Sequence, residues 1–176
     1  ELYSNLSQNY RSVTFADITI TSPTFVIDPN ISDESGYSYD LGVRGIISDL
    51  LSFDINYFGL SYNNRIGLSL KDVTLNNLPV IKTQKGNIGD AFIYGTEILT
   101  ELKVKNIFSQ VNIEAFVNYA FTKSEYLQSE SKSIIGNLVE FVPLHNLKTG
   151  LSMSYKKVTS GVQLTYLSEQ FTDATN

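Results

Sequence analysis

The residues able to do chemistry are few and scattered. His145, within Val142-Pro143-Leu144-His145-Asn146, is the single histidine, and there is no cysteine. A lone imidazole without thiolates or clustered carboxylates makes a poor metal centre. A structural part where the chain enters a strand is the better reading. Asp28, Asn30, Asp33 and Glu34 share one segment and could offer oxygens to calcium. That segment lacks the alternating ligands, mid-loop glycine and terminal glutamate of an EF-hand, so a solvated loop punctuated by Pro29 fits better. No nucleophile–base pair, phosphate-cradling loop or paired-acid constellation stands out. The chain does not read as an enzyme, and no cofactor or metal is expected.

What positions these residues is a period of two. Tyr37, Tyr39, Leu41 and Val43 alternate with Ser38, Asp40, Gly42 and Arg44 over 36–47. Leu51, Phe53, Ile55 and Tyr57 alternate with Ser52, Asp54 and Asn56 in 50–66, with the phase blurring after Phe58. The pattern returns in 91–104, is clearest in 111–122, and recurs from Asn146 to Tyr155 and again around Val162–Tyr166. Strict alternation belongs to strands with two unlike faces. With a less regular 1–11, the expectation is an all-β chain of about seven strands and no helix.

The connections alternate too. Long ones are expected near 12–35, 67–89 and 124–142, and tight ones near 47–49, 105–110 and 156–160. Such parity puts every long loop at one end of an antiparallel up-and-down meander. Strands of about 10–14 residues match the 9–11 that a tilted strand needs to cross a bilayer. Backbone groups cannot stay unpaired in hydrocarbon, so such a sheet must belong to a closed barrel. Aromatic girdles mark both interfaces of transmembrane barrels. Phe53, Phe108 and Tyr155 lie near the tight turns; Tyr37, Tyr39, Phe92, Tyr94, Tyr119, Phe121 and Tyr166 lie toward the long loops.

Composition agrees. Of 176 residues 18% are charged, against roughly 25% in soluble domains, while 12% are aromatic. The net charge of −5 argues against nucleic acid as a partner. Asp40, Arg44, Glu97, Glu101 and Glu114 fall on polar strand faces and are candidates to line a lumen. Arg11, Lys71, Lys82, Lys85, Lys123 and Lys132 lie in or beside the long loops; an anionic ligand would prefer arginine's fork of donors, which singles out Arg11 and Arg65 as loop contacts.

Several segments carry a family likeness. SQNYRSVTFADI (7–18), DPNISDESGYSYDLGVRG (28–45), NRIG (64–67), NIGDAFIYGTEI (87–98), VNYAFTKSEY (117–126), VPLHNLKTGLSMSYK (142–156) and YLSEQFTDATN (166–176) run in order along the chain. Together they resemble the β-barrel region of TonB-dependent outer-membrane receptors, most of all the iron-dicitrate-transporter-like members of Bacteroidota. The resemblance implies that 1–176 is one unit, an internal slice of the C-terminal part of a larger barrel, without signal peptide, plug or closing strand. It implies a bacterial outer-membrane location and import of a scarce nutrient, a ferric chelate (a siderophore or ferric citrate). The implied partners are the inner-membrane TonB complex, reached through a plug, and outer-membrane lipid. Two alternatives stay open: a small self-contained outer-membrane barrel with a structural or adhesive role, and a soluble ligand-binding β-barrel. The first requires residues 1–11 to pair with a C-terminal strand; the second requires the apolar faces to converge on a packed core.

Overall fold

A computed structural model describes residues 1–176 except 21, 76, 77, 108 and 109. Eight strands and one helical turn follow one another: β1 (Leu2–Arg11), α1 (Phe15–Ile18), β2 (Phe25–Ile27), β3 (Glu34–Ile47), β4 (Leu51–Leu75), β5 (Leu78–Ile107), β6 (Val111–Gln128), β7 (His145–Tyr155) and β8 (Val158–Leu167). They form one sheet in the order β1-β3-β4-β5-β6-β7-β8, every neighbour antiparallel, with β2 added in parallel against β5. The expected meander is thus present, with β2 and the four-residue α1 as additions. Among the described residues β1 and β8 do not pair with each other, so the sheet is open at both edges.

Register carries the two-faced pattern across the whole sheet. One row runs Val43, Ile55, Ile98, Tyr119, Leu147, Tyr166; a lower row runs Ile47, Leu51, Leu102, Ala115, Leu151, Val162. Directly opposed residues share a face and their chain neighbours take the other. The opposite face carries Asn5, Asp40, Arg44, Asp54, Asn56, Glu97, Glu101, Glu114, Asn118, Lys148, Ser152 and Gln163. Among the described residues nothing packs over the apolar face: Leu41, Ile55, Val117 and Leu151 are 53%, 40%, 40% and 51% exposed. The apolar residues do not converge on a core, against the soluble-barrel alternative.

Aromatic rings fill the gaps that glycine leaves. Tyr3, Phe53, Tyr39, Phe58 and Phe116 lie against their cross-strand partners Gly42, Gly45, Gly59, Gly95 and Gly150. At Gly42 an added Cβ would sit 2.2 Å from the Tyr3 ring, and at Gly150 2.4 Å from Phe116. A ring packed against a glycine restores the packing that a strand glycine lacks and fixes register at that rung.

The tight ends are made by residues in left-handed backbone, Ser48 and Asp49 after β3 and Lys156 after β7. The other end corrects the sequence expectation. Instead of a long loop over 67–89, β4 and β5 continue as a paired ladder from Ile66–Asn87 up to Leu75–Leu78, after register shifts at Tyr62/Arg65 and Asp90/Ala91. At ~3.3 Å per residue the 25-residue β4 is roughly 80 Å long, far beyond the ~30 Å of a hydrocarbon core. The hairpin therefore projects past the sheet. Beside it lies the buried cluster: Ile88, Ala91, Ile93 and Tyr126 from the strands, Ile134 and Val139 from segment 129–144, and Ala174 from the tail after β8.

Candidate functional site

Two carboxylates, each no more than 2% exposed, organise the long-connection end. Asp17 on α1 is 1% exposed. Its oxygens accept from Arg11 Nη2 at 2.8 Å, Thr14 N at 2.9 Å and Thr14 Oγ1 at 2.6 Å, and it pairs with Lys85 Nζ at 2.8 Å. Arg11 ends β1 and Lys85 belongs to β5, so this one side chain ties the 12–33 connection across the sheet. Lys85 also donates to the Ala16 carbonyl at 3.2 Å, and Asn87 donates to the Ser32 carbonyl at 3.0 Å. Glu34 at the start of β3 accepts from Ile66 N at 2.7 Å and lies 3.6 Å from Arg11. Burial alone would raise the Asp17 pKa; the donors from Lys85, Thr14 and Arg11 outweigh it and hold the carboxyl well below the usual carboxylate range. Asp33 is held low as well, by the Tyr10 hydroxyl and the Val13 amide.

The second carboxylate is Glu140, 2% exposed, in the 129–144 connection. Arg65 Nη1 meets its Oε1 at 2.5 Å, and Tyr126 Oη donates to its Oε2 at 2.7 Å. Arg65 also donates to Tyr126 Oη at 2.8 Å, closing a triangle between β4, β6 and the loop. Gly67 leaves room for it: an added Cβ there would lie 2.3 Å from Glu140 Oε1. Asn137 Nδ2 and Leu68 O fasten the tail through the Ala174 carbonyl and amide, at 2.9 and 2.8 Å.

The other sequence candidates fall as follows. Asp40, Arg44, Glu97, Glu101 and Glu114 all lie on the polar face. Asp40 accepts from Asn5 at 3.1 Å, Arg44 pairs with Glu1 at 2.9 Å, and Glu101 meets Lys103 at 3.5 Å. Glu97 and Glu114 have no hydrogen-bond partner among the described residues. Glu101, Lys103 and Glu114, with Gly150, Gly161 and Gln163, line an open groove of about 460 Å³ on this face. Arg11 and Arg65 are committed to the internal carboxylates described above. Lys71 and Lys82 oppose each other in the hairpin ladder, and Lys132 lies in segment 129–144. The 28–34 segment is more than a solvated loop: Asp28 accepts from Asn30 N at 2.9 Å, while Asp33 and Glu34 are bound as given above.

His145 opens β7 on the apolar face, its ring 6.1 Å from Tyr119 and 5.6 Å from Phe121, with Nδ1 2.8 Å from the Tyr119 hydroxyl. Tyr39, Tyr57, Phe92 and Tyr94 form a second aromatic group at the same end of that face. Phe53 and Tyr155 stand near the tight turns; Phe108 lies outside the described residues. Between these bands the apolar face carries no Asp, Glu, Lys or Arg among the described residues.

An uncharged outer band with aromatic rims, opposite a hydrated face, is the surface of a transmembrane barrel wall. A family model described as "TonB dependent receptor-like, beta-barrel" matches residues 1–176. The chain belongs to the TonB-dependent receptor β-barrel family. Among solved structures it is similar to "Copper transporter OprC", with a TM-score of 0.64 and 16% identity over 99% of this chain. At that identity the likeness concerns the fold. The chain spans about a quarter of that structure's length, 26%. A comparison with curated protein sequences finds no match. The family is one of outer-membrane barrels. In such barrels the tight turns are periplasmic and the long connections extracellular, so the carboxylate clasps of this TonB-dependent receptor barrel stand on the outer side.

Sequence reading did not find Asp17, Glu140 or Tyr126. Thr14 and Asp17 do stand at capping-box spacing, which was a usable local signal; Glu140 had none. With its pKa depressed, Asp17 stabilises the clasp fully above the ordinary carboxylate value of about 3.9, and that contribution is lost as pH falls through the folded value. Amide exchange in 12–33 is therefore expected to show no loss of protection from this group between pH 7 and 5. Asp17→Asn should raise it roughly tenfold to a hundredfold at neutral pH. Unchanged exchange in the variant would count against the clasp.

Proposed function

We propose that the chain is part of the barrel wall of a TonB-dependent outer-membrane transporter that imports a ferric chelate, a siderophore or ferric citrate, as its likeness to the iron-dicitrate-transporter-like group suggests. The observation that supports this reading is the sheet itself. Its apolar face is continuous, uncharged and aromatic-rimmed, while its polar face carries Asp40, Arg44, Glu97, Glu101 and Glu114.

In this reading those five side chains line the lumen and face the plug through which the TonB complex acts. Arg11 and Arg65 serve the ligand by holding the loops that shape its vestibule. The open edges of β1 and β8 join further strands of the same barrel; left unpaired in a membrane they would be untenable. The same open edges speak against a self-contained small barrel.

The test is uptake by cells whose only receptor is the full-length protein containing this chain. Radiolabelled ferric citrate and a panel of ferric siderophores should accumulate only when the TonB complex is intact. Accumulation of copper or another nutrient in place of iron would overturn the chelate assignment and leave the transporter. Uptake independent of the TonB complex would overturn the energy-coupled reading itself.

A further inference from the structure

We propose that Lys123 and His145 form a contact site on the outside of the barrel for the phosphate of an outer-leaflet lipid headgroup. The inference rests on the transmembrane reading of the apolar face, but not on what the receptor transports.

On the apolar face, Lys123 is the sole Lys or Arg among the described ladder residues. It stands directly opposite Tyr94 and two residues beyond Phe121 on β6. Phe121 is in turn directly opposite His145, so Lys123 and His145 are diagonal neighbours on adjacent strands, about 7–8 Å apart in such ladders. Both stand at the extracellular rim, where Tyr94, Tyr119 and Phe121 form the aromatic band and the hydrocarbon gives way to headgroups.

The chemistry of the pair is specific. Lys123 is exposed and has no ion-pair partner among the described residues. An ammonium at this height extends along its own stem toward the interface and offers three donors to a phosphate oxygen. The His145 ring is fixed rather than mobile. It is held against Tyr119 and Phe121 with Nδ1 at the Tyr119 hydroxyl, which leaves Nε2 as its second polar atom, without a partner among the described residues. An oxygen-rich anion bridging an ammonium and an imidazole nitrogen at this spacing is what a phosphomonoester provides.

The acidic neighbour is Glu125, two residues further out on β6 and opposite Phe92. It stands on the loop side of Lys123, level with Phe92 and away from the hydrocarbon, so a headgroup reaches Lys123 from the membrane side without crossing it. Elsewhere, among the described residues, the lipid-facing surface between the bands offers hydroxyls and amides but no cation, so headgroup attraction is concentrated on this one stretch of the wall.

The experiment places the full-length receptor in nanodiscs of phosphatidylcholine containing phosphatidic acid as the phosphomonoester probe, with phosphatidylserine as the carboxylate-bearing control. Lipids retained after gentle delipidation are counted by native mass spectrometry. The wild type is expected to retain phosphatidic acid over both other lipids. Lys123→Gln should lower that preference about fivefold, the effect of one basic residue at a charged headgroup. His145→Gln should lower it less, Lys123→Arg should keep it, and Lys148→Gln on the polar face should leave it unchanged. An undiminished preference in Lys123→Gln, or no preference in the wild type, would overturn the site. A loss equal in Lys148→Gln would overturn it too, because the effect would then be one of net charge.

Discussion

Leu151→Lys is expected to lower the yield of assembled barrel sharply, while Ser152→Lys, one residue along the same strand, leaves it close to wild type. Leu151 lies near the middle of β7, in the row Leu51, Leu102, Ala115, Val162. A lysine on the lipid face near the bilayer midplane costs about 2–4 kcal/mol, because its charge must reach an interface or draw water inward. Ser152 stands on the other face, directly across from Glu114. A lysine there meets water and a carboxylate, so the change should be within about 0.5 kcal/mol. Resistance of the folded barrel to heat and protease in outer-membrane fractions reads both. Equal tolerance of the two lysines would mean that the apolar face is not in hydrocarbon.

Glu140→Gln should loosen the extracellular side of the receptor without unfolding the wall. The carboxylate is buried, shared between Arg65 at 2.5 Å and Tyr126 at 2.7 Å, and tied to a loop rather than to a strand. Removing the charge leaves the Arg65 guanidinium, 17% exposed, without its counter-ion. Breaking one partner of a buried pair costs about 3–5 kcal/mol. That cost is expected to appear as local opening, with protease cutting within 129–144 and faster amide exchange at Ile134 and Val139, which pack in the same cluster. The double replacement Arg65→Met, Glu140→Leu should recover part of the loss, because no unpaired charge remains. If the single and double variants open equally, the pair is not what fastens the loop.

The wall was legible in the residues and the loops were not, for one physical reason. A strand between two unlike environments writes its period directly, so 36–47 and 111–122 could be read from their own residues. The alternation ends where the environment becomes the same on both sides. Past Leu70, β4 and the stretch of β5 that faces it have no buried residue among those described, and carry Lys71, Asp72 and Lys82. That stretch reads as a loop although it is a regular ladder. Register shifts at Arg65 and Asp90 also move the phase.

The clasps escape for a different reason. Arg65 and Glu140 are 75 residues apart, and no spacing connects them until the sheet brings β4 beside the path of the 129–144 connection. Their arginines were visible as cations near loops, which made ligand contact the natural expectation, but the partners that engage them were not visible. Thr14 and Asp17 were a readable cap, though the reach of Asp17 to Lys85 on β5 was not. His145 lay correctly at a strand start; its fit against Tyr119 and Phe121 needed the register of β6 on β7.

The chain has no cysteine, so single thiols can be placed on it without competition from its own residues. Single-cysteine substitutions at Leu41, Ile55, Ile98 and Val117, and at their neighbours Asp40, Asn56, Glu97 and Asn118, each carry a fluorophore in the full-length receptor in a bilayer. Quenching by a spin-labelled acyl chain is then compared position by position. Strong quenching at the first four sites and weak quenching at the second four is the predicted result. Uniform quenching, or the reverse order, would contradict the assignment of the apolar face to lipid.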